Sequence, residues 1–151
     1  MRSRLISSLS VVLLATALSA VADGAPHPIA AVEVTTQVAR EGRDMRAVLK
    51  TKVEKQLQTV DWSKSRDGGP YVLSSSLVRL DTDTSEGSAK VTCAVSMTLR
   101  DQKRGVLRAM VEGRAHSEDR AESAMAAEEE ALRVAVRGAV RSLPEAIRRS
   151  R

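Results

Sequence analysis

Residues 90–100 read KVTCAVSMTLR, and this stretch decides the fold. Apolar side chains occupy every second position from Val91 to Leu99, and polar or small side chains fill the positions between them. Successive side chains of a strand point to opposite faces of a sheet, so the alternation predicts a strand with one buried and one solvated face. Antiparallel sheets commonly have this division.

Two further strand-like runs flank this one. YVLSSSLVRLD (71–81) precedes it, separated by the polar turn TDTSEGSA, and residues 106–115 follow it after the short turn DQKRG. Two consecutive hairpins predict a three-stranded antiparallel meander. A fourth strand is expected earlier, at AVEVTTQ (31–37), because the run alternates and is rich in β-branched residues.

Two amphipathic helices complete the pattern. The first follows Gly42, with Asp44 as its cap, and its apolar face repeats at helical spacing. That face consists of Met45, Val48, Leu49, Val53, Leu57 and Val60. The second is predicted from about Asp119 to Leu143, with Pro144 ending or kinking it, and its acidic residues come early and its arginines late, as the helix dipole favours. We therefore expect an α+β, two-layer domain: strand, helix, three-strand meander, helix, with both helices on one face of a four-stranded sheet.

The N-terminus has the three parts of a secretory signal peptide. Arg2 and Arg4 are followed by an uncharged, mostly apolar stretch, and Ala20-Val21-Ala22 forms an A-x-A cleavage site. The apolar stretch is shorter than the roughly 20 residues of a membrane-spanning helix. We expect residues 1–22 to be a signal peptide, 23–30 a flexible leader and 31–151 a single domain, with no transmembrane segment after cleavage.

The amino-acid composition limits which cellular compartment and which classes of partner fit this protein. The only cysteine is Cys93, so no lipid-anchoring cysteine follows the signal and no internal disulfide can form. This predicts a periplasmic or secreted protein free of the membrane. Without Arg2 and Arg4, Lys and Arg fall from 24 to 22 against 19 acidic residues, so the net charge falls from +5 to +3. That mild charge, with one Trp, one Tyr and no Phe, argues against a nucleic-acid partner.

The residues with most promise for partner binding lie on or next to the two helices. Arg133, Arg137 and Arg141 recur every fourth residue and form a ridge, which is either a solvated face, offset by Glu129, or a site for an anionic partner. Trp62 follows the first helix. It either plugs the edge of the core or offers an exposed contact to a partner.

Other chemistry-bearing residues are better explained by structural roles. Asp81 to Ser85 opens like a calcium loop but lacks the required later glycine and acid, so we interpret it as a hairpin turn. His116 lies near Glu118, Asp119 and Glu122 without a second histidine, and those acids suit a helix start better than a metal. The serines 74–76 lack the context that activates a nucleophile. Cys93 is expected in the core. No metal or cofactor is predicted.

The run YVLSSSLV (71–78) resembles the "YVLxGSI" strand of a group of small bacterial envelope proteins. With the turn DQKRG, the strand GVLRAMVEG and the Ala/Glu/Arg-rich last helix, residues 31–147 are similar to periplasmic domains of the curli secretion channel, of the penicillin-binding-protein activator lipoprotein B and of the TolB amino-terminal region. The resemblance implies a domain that binds other envelope proteins or builds assemblies. Many of those relatives carry a lipid-anchoring cysteine that this sequence lacks, and no binding residue is carried over.

The sequence thus predicts an exported, non-catalytic interaction or assembly domain of the cell envelope. Its partner would be another envelope protein or an anionic surface, and its oligomeric state is left open. A small-ligand carrier with a cleft between helices and sheet is the alternative, and an enzyme is the least favoured interpretation.

Overall fold

A computed structural model describes residues 27–65 and 69–150. The predicted signal peptide lies outside the described residues, as does the first half of the leader, residues 23–26. Four strands and two long helices make up the domain: β1 (Ile29–Thr36), α1 (Met45–Leu57), β2 (Tyr71–Ser85), β3 (Ser88–Asp101), β4 (Leu107–Arg120) and α2 (Ala124–Arg149). Short 3₁₀ turns occupy Ser63–Ser65 and Ala121–Ser123.

The strands form one sheet in the order β1-β2-β3-β4. β1 runs parallel to β2, with α1 in the crossover between them, and the two hairpins make the rest antiparallel. The predicted α+β class and the meander are confirmed. The alternation predicted for β3 is confirmed. Val91, Cys93 and Leu99 lie on one face of the sheet and are all buried beneath the helices.

Both helices pack on that buried face. Asp44 caps α1 as predicted, its carboxylate accepting hydrogen bonds from the backbone N–H groups of Arg46 and Ala47 at 3.0 and 3.1 Å. Met45, Leu49, Val53 and Leu57 give α1 its buried face. The core face of α2 is rich in alanine, which lets its backbone lie close to the sheet.

The strands are longer than the sequence pattern predicts. Residues 82–85 continue β2 instead of forming a turn, because Glu86 and Gly87 close the hairpin in two residues with positive φ angles of 52° and 77°. β4 likewise extends to Arg120, so Glu118 and Asp119 pair with β3 and are not helix caps. β1 begins at Ile29, inside the expected leader, and Ile29 is buried.

Helix α2 is also longer than expected at its C-terminal end. Pro144 lies inside it, and the helix continues to Arg149. Ile147 is completely buried, so the final turn is held against the core by its own apolar contact. That burial outweighs the backbone hydrogen bond lost at Pro144.

Candidate functional site

The three arginines of the predicted ridge on α2 differ in their ion-pair partners. Arg133 donates a hydrogen bond from Nε to Glu130 Oε2 at 2.8 Å, and this bond holds the pKa of Glu130 below its usual value. The partner is Glu130 and not the expected Glu129, which points toward α1. No described residue forms an ion pair with Arg137 or Arg141, although the charge of Arg137 also lowers the pKa of Glu130.

Arg141 lies on the wall of a groove that the sequence pattern does not predict. The groove, of about 670 Å³, runs between β4 and the C-terminal half of α2. Its lining combines small and apolar side chains with three arginines, Arg108, Arg141 and Arg149. Arg108 pairs with Asp101 at 3.6 Å and Arg149 with Glu145 at 2.9 Å, so Arg141 is the arginine of the lining that has no ion-pair partner among the described residues. Two distant parts of the sequence meet here, which no local pattern reveals.

Exposed apolar side chains lie at the same end of β4. Leu107 is 55% and Met110 62% exposed, and Val106 just before the strand is 48% exposed. β4 pairs with β3 along one edge, and within the described part of the chain no strand pairs with its other edge. A free strand edge with apolar side chains is a template for association with another chain.

Trp62 lies at the edge of the core, which is the first of the two positions predicted for it from the sequence. Its side chain is buried at 4% exposure, and Nε1 donates a hydrogen bond to the Leu57 carbonyl at 2.9 Å. The His27 ring lies beside it, with a centroid separation of 6.2 Å. Trp62 therefore closes the end of α1 and has almost no surface for a partner to contact.

A network of charged side chains ties the segment before α1 to α2. Glu128, 8% exposed, accepts hydrogen bonds from Arg40 Nε at 3.0 Å, Arg43 Nη1 at 3.2 Å and Thr82 Oγ1 at 2.6 Å. Glu129 pairs with Lys52 Nζ at 2.8 Å. From the sequence these acids are expected at a helix start, and their tertiary partners are not predicted. The network is a structural clamp, since each buried oxygen is used within the fold.

The open face of the sheet carries Ser74 and His116. Ser74 donates a hydrogen bond to Glu33 Oε2 at 2.7 Å, and Arg100 reaches the same carboxylate at 2.6 Å. His116 Nδ1 lies 3.2 Å from Thr92 Oγ1. No group of three or more metal-ligating side chains lies together in residues 27–65 and 69–150.

Three further residues with candidate chemistry have structural positions. Cys93 is completely buried, as expected, and burial raises the pKa of its thiol to about 11. Ser75 is also buried and faces the core. Asp81, from the run that resembles a calcium loop, pairs with Arg79 on β2. None of the helices in the described ranges is long and apolar enough to cross a membrane.

Comparisons with known proteins place the fold. No protein-family model matches the sequence, and neither does any curated protein. Among solved structures, a protein of the family model DUF330 from Xanthomonas campestris aligns with a TM-score of 0.62 at 11% identity, over 83% of this chain and 88% of that one. A hypothetical protein from Chlamydia trachomatis aligns with a TM-score of 0.55 at 8% identity, over 80% and 98%.

The same fold occurs in an assembled protein. The PelC dodecamer from Paraburkholderia phytofirmans aligns with a TM-score of 0.54 at 14% identity, over 77% of this chain and 86% of that one. At such identities the likeness concerns the fold. The more specific resemblance to the curli, penicillin-binding-protein activator and TolB domains stays a prediction.

Proposed function

We propose that this chain is an exported, non-catalytic interaction and assembly domain of the bacterial cell envelope. The observation that carries the proposal is the free edge of β4, which is 14 residues long and exposes Leu107 and Met110 at one end. Folded proteins usually shorten or cover such an edge, and extended partners bind to it by adding a strand.

Electrostatics at this edge favour a partner with acidic groups. Arg108, Arg141 and Arg149 line the groove beside the apolar end of β4; Arg108 pairs with Asp101 and Arg149 with Glu145, and Arg141 has no ion-pair partner among the described residues. We name this region, formed by residues 106–111 with Arg141 and Arg149, the β4 edge site. Main-chain pairing would supply affinity and the arginines would select the partner.

The predicted signal peptide supports a location outside the cytoplasm, and the dodecameric state of PelC supports an assembly role for this fold. The location has a direct test. Mass spectrometry of the exported protein should show a mature chain beginning near Asp23. A chain that retains Met1 after export would contradict the localisation.

The interaction itself is tested by crosslinking in the native envelope. A photoreactive amino acid at Met110 should yield a reproducible adduct whose partner peptide mass spectrometry identifies. The same amino acid at Lys50, exposed on α1, should not. Leu107→Lys should reduce the Met110 adduct, because it places a charge in the apolar contact. Absence of any adduct at Met110 would contradict the use of this site.

A small-ligand carrier is the second candidate, because the groove lies between a helix and the sheet and combines apolar side chains with three arginines. Such a carrier would hold a small anionic amphiphile. Native mass spectrometry of the exported protein should then show an added mass that Arg141→Ala removes. An unliganded protein that crosslinks through Met110 favours the interaction domain instead.

A further inference from the structure

The charges along the free edge of β4 are complementary to those of a second, antiparallel copy of the same strand. Every second residue of β4 from Met110 to Glu118 pairs with a residue of β3 on the open face of the sheet. The pairs are Met110–Thr98, Glu112–Ser96, Arg114–Ala94, His116–Thr92 and Glu118–Lys90. All five therefore project from the open face of the sheet. The pattern along this face is apolar, acidic, basic, histidine, acidic, and Glu112 and Arg114 pair with each other within the chain at 3.0 Å, a pair that a second copy can exchange for two pairs across the strands.

Two identical strands that pair antiparallel about a two-fold axis can meet in only a few registers. Their paired residues must share a face, so each register is centred on one residue. Centring on Arg114 opposes two arginines, and centring on Glu112 opposes two glutamates. Centring on Gly113 places Glu112 of each copy opposite Arg114 of the other, which gives two favourable cross-strand pairs.

In the register centred on Gly113, the acidic end of the second copy's β4 lies beside the groove of the first. Glu118 and Asp119 of the second copy would lie at the end of the strand where Arg108, Arg141 and Arg149 line the groove. Within the chain, Glu118 has an exposed partner, Lys90, at 3.9 Å, and Asp119 forms no ion pair with a described residue. Asp119 projects from the same face of the sheet as its buried β3 partner Ala89, so it is placed on the side of the groove arginines of another copy, whereas Glu118 stays on the open face; the two-fold axis repeats the contact.

The helix above this edge leaves room for its counterpart. The small side chain of Ser142 on α2 lines the groove. Gly138, one turn earlier, has no atom within 4 Å of the position of a Cβ. Helices with small residues at their contact approach to about 8–10 Å, as two helices above a continuous sheet would.

We propose that two copies of this chain associate through antiparallel pairing of β4 with β4, centred on Gly113, to form a continuous eight-stranded sheet. This inference rests on the proposed function and names the partner at the β4 edge site as a second copy. Each copy contributes Asp119 of its β4 to the groove of the other, where Arg141 lies.

Exchange of charges tests the register with the full exported protein. In Glu112→Arg or in Arg114→Glu, every cross-strand pair at the centre becomes a like-charge pair, so each variant should self-associate at least about tenfold more weakly. An equal mixture of the two variants restores both opposite-charge pairs and should dimerise like the unmodified protein. Glu54→Arg on α1 makes the same charge change as Glu112→Arg away from the edge and should leave dimerisation unchanged. Analytical ultracentrifugation measures all of these samples.

A cysteine pair tests the geometry separately, with Cys93→Ala as the background. One chain carries Glu112→Cys and a second, isotopically labelled chain carries Arg114→Cys. Opposed residues have Cα atoms about 4.5–5.5 Å apart, within the range of a disulfide. The mixture should therefore oxidise to a heterodimer, whereas a Glu112→Cys and His116→Cys mixture, which is out of register, should not. Circular dichroism and urea unfolding verify that each variant is folded.

The outcomes separate this inference from the proposed function. An unmodified protein that stays monomeric at its highest soluble concentration, or a mixture of charge variants that stays monomeric, overturns the second-copy inference. So does preferential crosslinking of residue 112 to residue 116. If the Met110 crosslinker then captures a different envelope protein, the proposed function stands with another partner. If it captures nothing, both fail.

Discussion

Gly113 of β4 lies directly against the backbone of Ala135 in α2. A Cβ added to Gly113 would stand 1.8 Å from the Ala135 carbonyl oxygen and 3.1 Å from the Ala139 Cβ. The absence of a side chain at this position therefore sets how closely α2 packs on β4. That distance in turn positions the groove between the C-terminal half of α2 and the strand edge.

Gly113→Ala should lower the free energy of unfolding by about 3 kcal/mol, because the helix backbone must move to admit a methyl group. Gly138→Ala is the matched control on α2. It meets open space and should raise stability by about 0.5–1 kcal/mol through helix propensity. Urea denaturation of both variants measures the difference. Equal stabilities would contradict the close contact.

Glu128→Ala should cost about 3 kcal/mol, since it removes the carboxylate that Arg40, Arg43 and Thr82 share in a nearly buried position. Glu145→Ala, on the same helix, removes an exposed carboxylate that pairs with two arginines and should cost far less, because solvent screens exposed ion pairs. Urea unfolding at neutral pH provides both values. A small loss at Glu128 would show that the clamp contributes little.

Stability should fall with acid partly through Glu129. The hydrogen bond from Lys52 and the charge of Lys52 and Arg43 lower the pKa of Glu129 in the folded protein. Because the unfolded chain then binds the proton more readily, the contribution is present above the ordinary glutamate pKa of about 4.3 and is lost as the pH falls below it.

The measurement is a series of urea titrations between neutral and acidic pH. Lys52→Met should flatten part of the acid-induced loss of stability. Lys50→Met, which removes an exposed pair with Glu54 at 3.9 Å, should leave the pH profile unchanged. Identical profiles for Lys52→Met and the unmodified protein would exclude the Lys52 pair as a source of the pH dependence.

Cys93 should react with thiol reagents only when the protein unfolds. Its side chain is fully buried and burial raises the pKa of the thiol to about 11, so both access and thiolate concentration are low in the folded state. Labelling at mildly alkaline pH should be slow without urea and fast above the unfolding midpoint. Rapid labelling of the native protein would contradict the burial of Cys93.

Local periodicity accounts for the parts of the fold that the sequence predicted. Val91 and Leu99 are buried because the two-residue period of a strand places them on one face, and Leu49 and Val53 because a helix repeats near every fourth residue. Asp44 is recognisable as a cap from its position before an amphipathic run, and the cap geometry confirms it.

Element ends depend on contacts that are distant in the chain. Pro144 is unfavourable inside a helix, yet α2 continues past it because Ile147 is buried against the core. Glu118 and Asp119 suit a helix start, yet they lie in β4 because β3 extends far enough to pair with them. Local propensity is weaker than these tertiary contacts, so boundaries cannot be read from the residues near them.

Local sequence patterns account for the strand and helix periods, the single buried thiol and the layered α+β class, since each depends on residues close together in the chain. Tertiary structure decided which charges remain free. It turned Glu129 toward Lys52 and left Arg141 beside a free strand edge. The groove joins residues from distant parts of the chain, and only the packing of α2 on β4, set at Gly113, brings them together.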